Sequence, residues 1–447
     1  MALTGIQIFK LLPKTNCGEC GVPTCLAFAM NLAAGKAELV SCPYVSEEAK
    51  SQLTEASAPP IRPITIGVGD QALKIGGETV LFRHEKTFYN PTGLAALLTT
   101  DMGEDVISAK LKKWDTYQYE RVGLTLRPEM VAIKDMAGDS GKFKKTVQQV
   151  FESSNFNLIL MSERPDVLTE GLSACPGGNP LLYAATNENW EAMADLAKGA
   201  KCPLAVKADG LDGLISLTGK LTQTGLNDLV LDSGARSIKQ VFEDQIAIRR
   251  AALSGKEKGL GFPTICLPFE MARDLEMETL MGAVMVAKYG GLVVFSDFEG
   301  ESIFPLLLER LNIFTDPQRP MTVTEGVYEI NGPDENSPVC VTSNFSLTYF
   351  IVSGEIESSR VPTWLCIMDT EGLSVMTAWA AGKFVGDAVG IFIKKSGITD
   401  KIKHRNLIIP GYAAGIAGDL EEELPGWKIK VGPREAAHIP RYLRELK

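Results

Sequence analysis

The chain lacks the marks of a secreted or membrane-spanning protein. Its opening, Met1-Ala2-Leu3-Thr4-Gly5, has no basic region followed by an apolar core and a small-residue cleavage site. No uninterrupted apolar run reaches the roughly 18 residues that a membrane helix needs, so a cytoplasmic protein is expected. Basic charge is in short supply: 45 Lys and Arg stand against 55 Asp and Glu, for a net charge of -10. That argues against a nucleic-acid binder, whose affinity rests on a concentrated basic face. Nucleotide fingerprints are missing as well. There is no P-loop, and Gly411-Tyr412-Ala413-Ala414-Gly415-Ile416-Ala417-Gly418 only loosely resembles G-x-G-x-x-G. Histidine is scarce: His84, His404 and His438 are the three, and none has an Asp two residues before it.

What is present is an ordinary globular composition, 45% apolar and 22% charged over 447 residues. Single cores stop growing at roughly 250 to 300 residues, so two or three domains are expected. The nine cysteines are unevenly placed, with four in the first 42 residues and five scattered. Clustering of that kind points to metal binding rather than to a disulfide framework.

Three segments follow one another. Residues 1–57 read as a small cysteine-bearing domain, with a helix over Thr24–Lys36 stopped by Gly35 and a second helix starting near Ser46. Residues 58–63, with Pro59, Pro60 and Pro63, read as an extended linker. From 64 to 315, short apolar runs alternate with helical patterns. The predicted strands are Val80–Phe82, Gly123–Leu126, Met130–Lys134, Leu158–Met161, Leu181–Ala185, Leu204–Lys207, Leu229–Asp232, Thr264–Leu267 and Leu292–Ser296. Trp190–Lys198 and Ile238–Ser254 are helices among them. Such alternation over this length predicts a (β/α)8 TIM-type barrel rather than an open sheet. A second linker is expected at 316–325, around Pro317 and Pro320. Residues 326–447 then give strands Val339–Thr342, Thr363–Met368, Arg405–Ile409 and Ile429–Val431. Helical patterns Leu347–Glu357, Ser374–Phe384, Ala413–Glu423 and Arg434–Leu446 follow them in turn. Four such units make a small doubly wound α/β domain, which binds ligands at the carboxyl ends of its strands.

The first chemistry lies in Cys17, Cys20, Cys25 and Cys42, spaced C-x2-C-x4-C-x16-C. Three close thiolates on a tight turn and a fourth returning after a helix can enclose a [4Fe-4S] cubane, each iron taking one ligand. Gly18 and Gly21 permit backbone conformations closed to other residues, and Pro43 follows the last ligand as in many ferredoxin sites. A four-cysteine zinc site is the alternative, although zinc ribbons usually present two C-x2-C pairs. Cys175, Cys202, Cys266, Cys340 and Cys366 lie in or beside apolar runs and read as buried, inert thiols.

The second candidate site lies at the strand ends of the last domain, where small and hydroxyl residues gather. Small residues let a large flat ligand approach the backbone, and hydroxyls can bond its rim; ordinary βα turns use the same residues as caps. In the barrel, Asp135, Glu163, Asp209, Asp232, Glu270 and Asp297 fall near strand ends, where they would suit either catalysis or capping.

Taken together, the Asn16-Cys17-Gly18-Glu19-Cys20-Gly21-Val22-Pro23-Thr24-Cys25 motif, the barrel and the C-terminal α/β domain resemble the large subunit of the corrinoid iron-sulfur protein of the reductive acetyl-CoA (Wood-Ljungdahl) pathway. The resemblance covers the whole chain. It implies a cobamide on the C-terminal domain, near Thr342, Thr348, Thr370, Glu371, Gly372, Leu373, Ser374, Gly411, Tyr412, Ala413, Ala414, Gly415, Pro433, Arg434, Glu435, Ala436 and Ala437. It implies a methyl carrier rather than a stand-alone catalyst: cobalt(I) takes a methyl group from methyltetrahydrofolate and passes it to acetyl-CoA synthase, and the cluster restores oxidised cobalt. The D-x-H-x-x-G signature of corrinoid domains with a histidine lower ligand is absent, so no such histidine is expected on cobalt. The implied partners are a small subunit, a methyltetrahydrofolate methyltransferase, acetyl-CoA synthase, and a reductive activator or ferredoxin. Two other readings stay open at this point: an electron-transfer protein without a corrinoid, and a barrel enzyme with a structural cluster.

Overall fold

The computed structural model describes residues 5–33, 37, 39–46, 49–50, 53, 59–121, 124–316 and 320–446. Gly35, the acids after Ser46, Ala58, Gly123 and residues 317–319, on which sequence expectations fell, lie outside the described residues. The chain forms two compact units, Met1–Gln118 with Arg127–Phe314, and Tyr119–Leu126 with Thr315–Lys447.

The first unit begins with helices Gly5–Leu11 and Cys25–Ala33. Their inward residues Ile8, Phe28 and Ala29 share one apolar cluster with Leu12, Cys25, Cys42 and Val45. Thr24 caps the second helix, its hydroxyl accepting from the Ala27 N–H at 3.1 Å, so the helix starts at Cys25 itself.

Beyond it, strands β1 (Ile64–Ile66) and β2 (Leu73–Ile75) form an antiparallel hairpin. Next comes β3 (Gly93–Thr99); a second hairpin, β4 (Tyr119–Arg121) with β5 (Leu124–Leu126), follows in the chain but belongs to the second unit. The succeeding strands are β6 (Met130–Lys134), β7 (Asn157–Met161), β8 (Leu181–Ala185), β9 (Leu204–Lys207), β10 (Leu229–Asp232), β11 (Ile265–Cys266) and β12 (Leu292–Phe295). Eight of these are parallel in the order β10-β9-β8-β7-β6-β3-β12-β11. The ring closes where Leu231 bridges Thr264, the Leu231 N–H donating to the Pro263 carbonyl at 2.8 Å. Side chains of alternate residues fill the interior, among them Ala95 and Leu97, Met130 and Ala132, and Ile159 and Met161. Ile64, Ile66 and Ile75 of the first hairpin join that core and plug the end where the strands begin.

Two expectations for the barrel need correction. Val80–Phe82 is not a strand: the Val80 and Leu81 carbonyls accept from Arg249 Nη1 at 3.1 Å and Tyr289 Oη at 2.9 Å, not from a neighbouring strand. Gly123–Leu126 gives no barrel strand either, since β5 pairs antiparallel with β4. The eighth barrel strand is instead β3, Gly-Leu-Ala-Ala-Leu-Leu-Thr, which is poor in the β-branched residues that signal a strand.

The second unit contains β13 (Gly326–Ile330), β14 (Val339–Ser343), β15 (Thr363–Met368), β16 (Asn406–Ile409) and β17 (Lys428–Val431), in the order β13-β15-β14-β16-β17. The last four in sequence are parallel, and β13 is an antiparallel edge strand that was not foreseen. Both faces are buried. Val339, Val341, Cys366 and Met368 face one apolar cluster, while Cys340, Leu365, Ile367 and Ile408 face the other. Two helical expectations shorten: Ser374–Phe384 becomes Val375–Ala380, and Ala413–Glu423 opens as a 3-10 segment, Gly411–Ile416, before the α-helix Ala417–Glu423. Arg434–Leu446 likewise narrows to the 3-10 turn Ala436–His438 and the helix Ile439–Glu445. Among the described residues no helix is long and apolar enough to cross a membrane.

Candidate functional sites

The cysteine site is organised by the residues between its thiols. Asn16, at φ +49°, accepts the Cys25 N–H on its side-chain oxygen at 2.8 Å, and its own N–H points to Cys25 Sγ at 3.4 Å. Gly18 and Gly21 take positive φ and are joined by a 3.0 Å turn hydrogen bond, with open space where a Cβ would stand. The fourth thiol returns after the 3-10 turn Leu39–Ser41, with the Cys42 N–H bonded to the Leu39 carbonyl at 3.1 Å. Cys25 and Cys42 are buried, Cys20 packs against the same apolar cluster, and Cys17 is exposed at its edge.

Among the described residues, no three His, Cys, Asp or Glu side chains converge closely enough to hold a single metal ion. Cys20, Cys25 and Cys42 lie at one apolar cluster with Cys17 exposed, and Gly18 and Gly21 turn the chain between the first three thiols; four cysteines are the donor set that a [4Fe-4S] cluster takes. Sequence reasoning missed Asn16 and Thr24 as organisers of this site. Their signal was local, an Asn and a Thr each directly preceding a ligand.

The second site is a cavity of about 230 Å³ at the carboxyl ends of β14 and β16. These neighbours part to opposite sides of the sheet order, which makes this the topological switch point where open α/β sheets bind ligands. Its floor is Cys340, Thr342 and Ile408; one wall is Thr348, Ile351, Val352 and Ile356 of the helix Ser346–Ser359. Val375 and Met376 form part of the rim, and Ile439, Tyr442 and Leu443 close the far side. Burial pushes the Cys340 thiol up to about 12, so it stays a neutral apolar surface.

Of the residues expected to meet a corrinoid, Thr342, Thr348, Tyr412, Pro433, Arg434 and Ala436 line this cavity. The 370–374 loop has a different setting. Asn344 Oδ1 accepts from the Thr370 N–H and hydroxyl and the Gly372 N–H, each at 3.0 Å, and Asn344 Nδ2 donates to Asp369. Glu371 pairs with Lys383, Leu373 supplies a carbonyl to Thr370, and the Ser374 and Thr377 hydroxyls lie 3.0 Å apart. Glu435 accepts from Tyr412 Oη at 2.9 Å, which raises the phenol's pKa. Gly411 and Ala413 are buried in the turn, whereas Ala414, Gly415 and Ala437 are exposed. The apolar helical wall escaped sequence reasoning, since Ile351, Val352 and Ile356 read as ordinary core positions.

The barrel acids are mostly committed. Arg236 makes a two-pronged contact with Asp232, 3.0 and 2.9 Å, while Tyr183 Oη donates to Asp232 at 2.6 Å. Glu270 pairs with Arg236 and Lys134, Glu163 with Lys207, and Asp297 with Lys110. Asp135 accepts from Ser162 and the Gly138 N–H, and Asp209 stands at the N-cap of the helix Gly210–Gln223.

Comparison with known proteins gives a full-length match. Residues 63–443 match the family described as CO dehydrogenase/acetyl-CoA synthase delta subunit, and residues 12–44 match one described as putative Fe-S cluster. The chain is 46% identical over 444 residues to a protein named corrinoid/iron-sulfur protein large subunit from Moorella thermoacetica, covering 99% of each chain. It is 36% identical over 455 residues to the acetyl-CoA decarbonylase/synthase complex subunit gamma of Methanopyrus kandleri, covering 99% of this chain and 98% of that one. A 7,8-dihydropteroate synthase structure from Vibrio fischeri ES114 aligns with 51% of this chain and 95% of its own, at 11% identity and a TM-score of 0.40, and carries no functional weight.

Proposed function

The chain belongs to the family that holds the corrinoid/iron-sulfur protein large subunit and the gamma subunits of acetyl-CoA decarbonylase/synthase complexes, and from that premise we propose that it is a methyl-group carrier. The observation that carries this reading is the switch-point cavity, apolar on three sides and walled by a helix and a C-terminal turn. When bound, a corrinoid would supply a nucleophilic cobalt for methyl transfer between methyltetrahydrofolate and acetyl-CoA synthase, and a [4Fe-4S] cluster would supply the electrons that keep it reduced.

Cys17, Cys20, Cys25 and Cys42 would hold the cluster, three of them bedded in apolar surroundings that slow the entry of water. Thr342 and Thr348 would offer hydroxyls to a corrinoid, and Ile351, Val352 and Tyr442 would give it apolar surface. No histidine is among the residues lining this cavity. His404 is engaged elsewhere, with Nε2 2.9 Å from the Ser337 carbonyl and Nδ1 accepting the Asn406 N–H. The cavity would thus offer a corrinoid hydroxyl and apolar groups rather than an imidazole.

Leu347, Ile351, Met376, Trp379 and Tyr412, on the segments around the cavity, are each more than two-fifths exposed. An apolar collar of this kind favours a cover. A small partner subunit is the proposed cover, with the methyltransferase, acetyl-CoA synthase and a reductive activator or ferredoxin as transient visitors. The barrel serves as scaffold in this reading, because its strand-end acids are largely spent on Arg236, Lys134, Lys207 and Lys110.

One preparation tests the proposal: protein produced anaerobically with a cobamide supply, analysed for metals and by optical spectroscopy. The expected result is one cobalt and about four irons per chain, with corrinoid bands over a broad cluster absorption. Cluster absorption without corrinoid bands would reduce the chain to an electron-transfer protein.

A further inference from the structure

One hydrogen bond ties the two segments that bring the cysteines together, beside the apolar cluster they share. Glu19 lies between Cys17 and Cys20, and Tyr44 lies two residues beyond Cys42. Tyr44 Oη donates to Glu19 Oε1 at 2.8 Å, across 25 residues of chain. Among the described residues no other hydrogen bond joins the 12–24 segment to the 37–46 segment.

Resting on the cluster reading above, we propose that the Tyr44–Glu19 hydrogen bond is a latch over the iron-sulfur site. It holds the Cys42 arm against the Cys17–Cys20 turn and keeps a carboxylate fixed beside the cluster. The first effect governs how long the cluster is retained. Cys42 is the one ligand reached after a helix and a further 3-10 turn, so its approach depends most on a contact that closes the loop. The second effect governs potential, because a fixed negative charge beside a redox group opposes the addition of an electron. Tyr44 and Glu19 are thus positioning residues. Half-exposed Tyr44 buries little that would otherwise account for an aromatic ring there.

The test compares wild-type protein with Tyr44→Phe, Glu19→Gln and the double variant, each isolated anaerobically with its cluster. Iron release to a chelator and an EPR-monitored redox titration are the readouts, with the unfolding midpoint recorded beside them. Tyr44→Phe keeps the ring and removes the donor, so release should quicken about five- to tenfold, the scale of one lost charge-assisted hydrogen bond at an exposed position. Glu19→Gln keeps an oxygen that accepts from the phenol, so release should stay near wild type while the potential moves positive. The double variant should release iron no faster than Tyr44→Phe alone. Wild-type release rates in Tyr44→Phe, an unmoved potential in Glu19→Gln, or faster release from the double variant than from Tyr44→Phe alone would each overturn the latch. Wild-type protein without cluster absorption would overturn the cluster reading as well, which separates the two failures.

Discussion

Two glycines four residues apart should respond in opposite ways to the same methyl group. A Cβ on Gly411 would stand 2.6 Å from the Arg434 nitrogen, the Gly432 oxygen and the Pro433 carbonyl carbon. All three are backbone atoms, and ordinary contact begins at 3.4 Å, so the turn after β16 must retreat from the 432–434 segment by about 0.8 Å. That retreat stretches the bond from the Gly411 N–H to the Pro433 carbonyl, now 3.1 Å. Because Pro410, Tyr412, Pro433 and Arg434 frame the cavity, its mouth changes shape. Gly411→Ala is expected to cost about 1–3 kcal/mol of stability in the C-terminal unit, the usual range for overpacking, and to weaken cobamide binding at least tenfold. Gly415 has nothing within 4 Å of a Cβ position and no positive φ. Gly415→Ala should leave the empty protein as stable or up to about 1 kcal/mol more so, through the unfolded chain. If a flat ligand lies against this turn, the new methyl group stands between them, and Gly415→Ala lowers cobamide affinity alone. Cobamide titration followed by absorbance, with thermal unfolding of cobamide-free protein, separates the cases. Wild-type affinity in Gly411→Ala would refute the assignment of this cavity, and wild-type affinity in Gly415→Ala would remove that turn from the contact surface.

Three further outcomes are expected. Cys42→Ala, loaded with corrinoid and reduced chemically beforehand, should still accept and donate a methyl group but fail to be reactivated by a protein electron donor; stopped-flow absorbance measures both, and loss of the first transfer would count against the division of labour. Glu270 is half-buried, which alone would raise its pKa, yet Lys134 and Arg236 overcome that burial and hold it below the ordinary value near 4.5. Its folded state therefore binds protons less readily than the unfolded chain, so its contribution is present above about pH 4.5 and lost as pH falls through the lowered value; Glu270→Gln should flatten that acid limb of the unfolding midpoint. Arg249, buried 3.6 Å from Glu78 and stacked 4.4 Å from Tyr289, should cost about 3 kcal/mol when replaced by Met, with much of the loss recovered in Glu78→Gln/Arg249→Met by denaturant unfolding.

The barrel was legible because most of its strands are buried on both faces and read as short apolar runs between helical patterns. Where strand chemistry was atypical, reading failed. The segment Gly93–Thr99 holds glycine, alanine and leucine because it is crowded: a Cβ on Gly93 would lie 2.5 Å from Leu73 and 2.7 Å from Leu292. Val80-Leu81-Phe82 has the composition of a strand, but no neighbouring strand takes up its carbonyls, which Arg249 and Tyr289 bind instead. Both errors have one physical source. Strand propensity measures fit to a half-buried pleated surface, and tertiary crowding or a distant side chain can outweigh it.

The candidate sites divide along a similar line. Cysteine spacing is a local statement, since chain connectivity alone nearly determines which thiols can meet, and so a candidate ligand set could be proposed from spacing alone. The cavity is a product of topology: Thr342, Ile351, Tyr412 and Tyr442 lie up to 100 residues apart and meet only because β16 pairs beside β14. The same distinction explains the two groups of loop residues. Thr370 and Gly372 look like ligand contacts in sequence because hydroxyls and glycines serve both ligands and turns, yet one side chain, Asn344, takes up their donors and fastens the loop. What a ligand would meet is decided by groups that the fold leaves pointing into space. Those groups here are mostly apolar, a property that sequence alone assigns to the core.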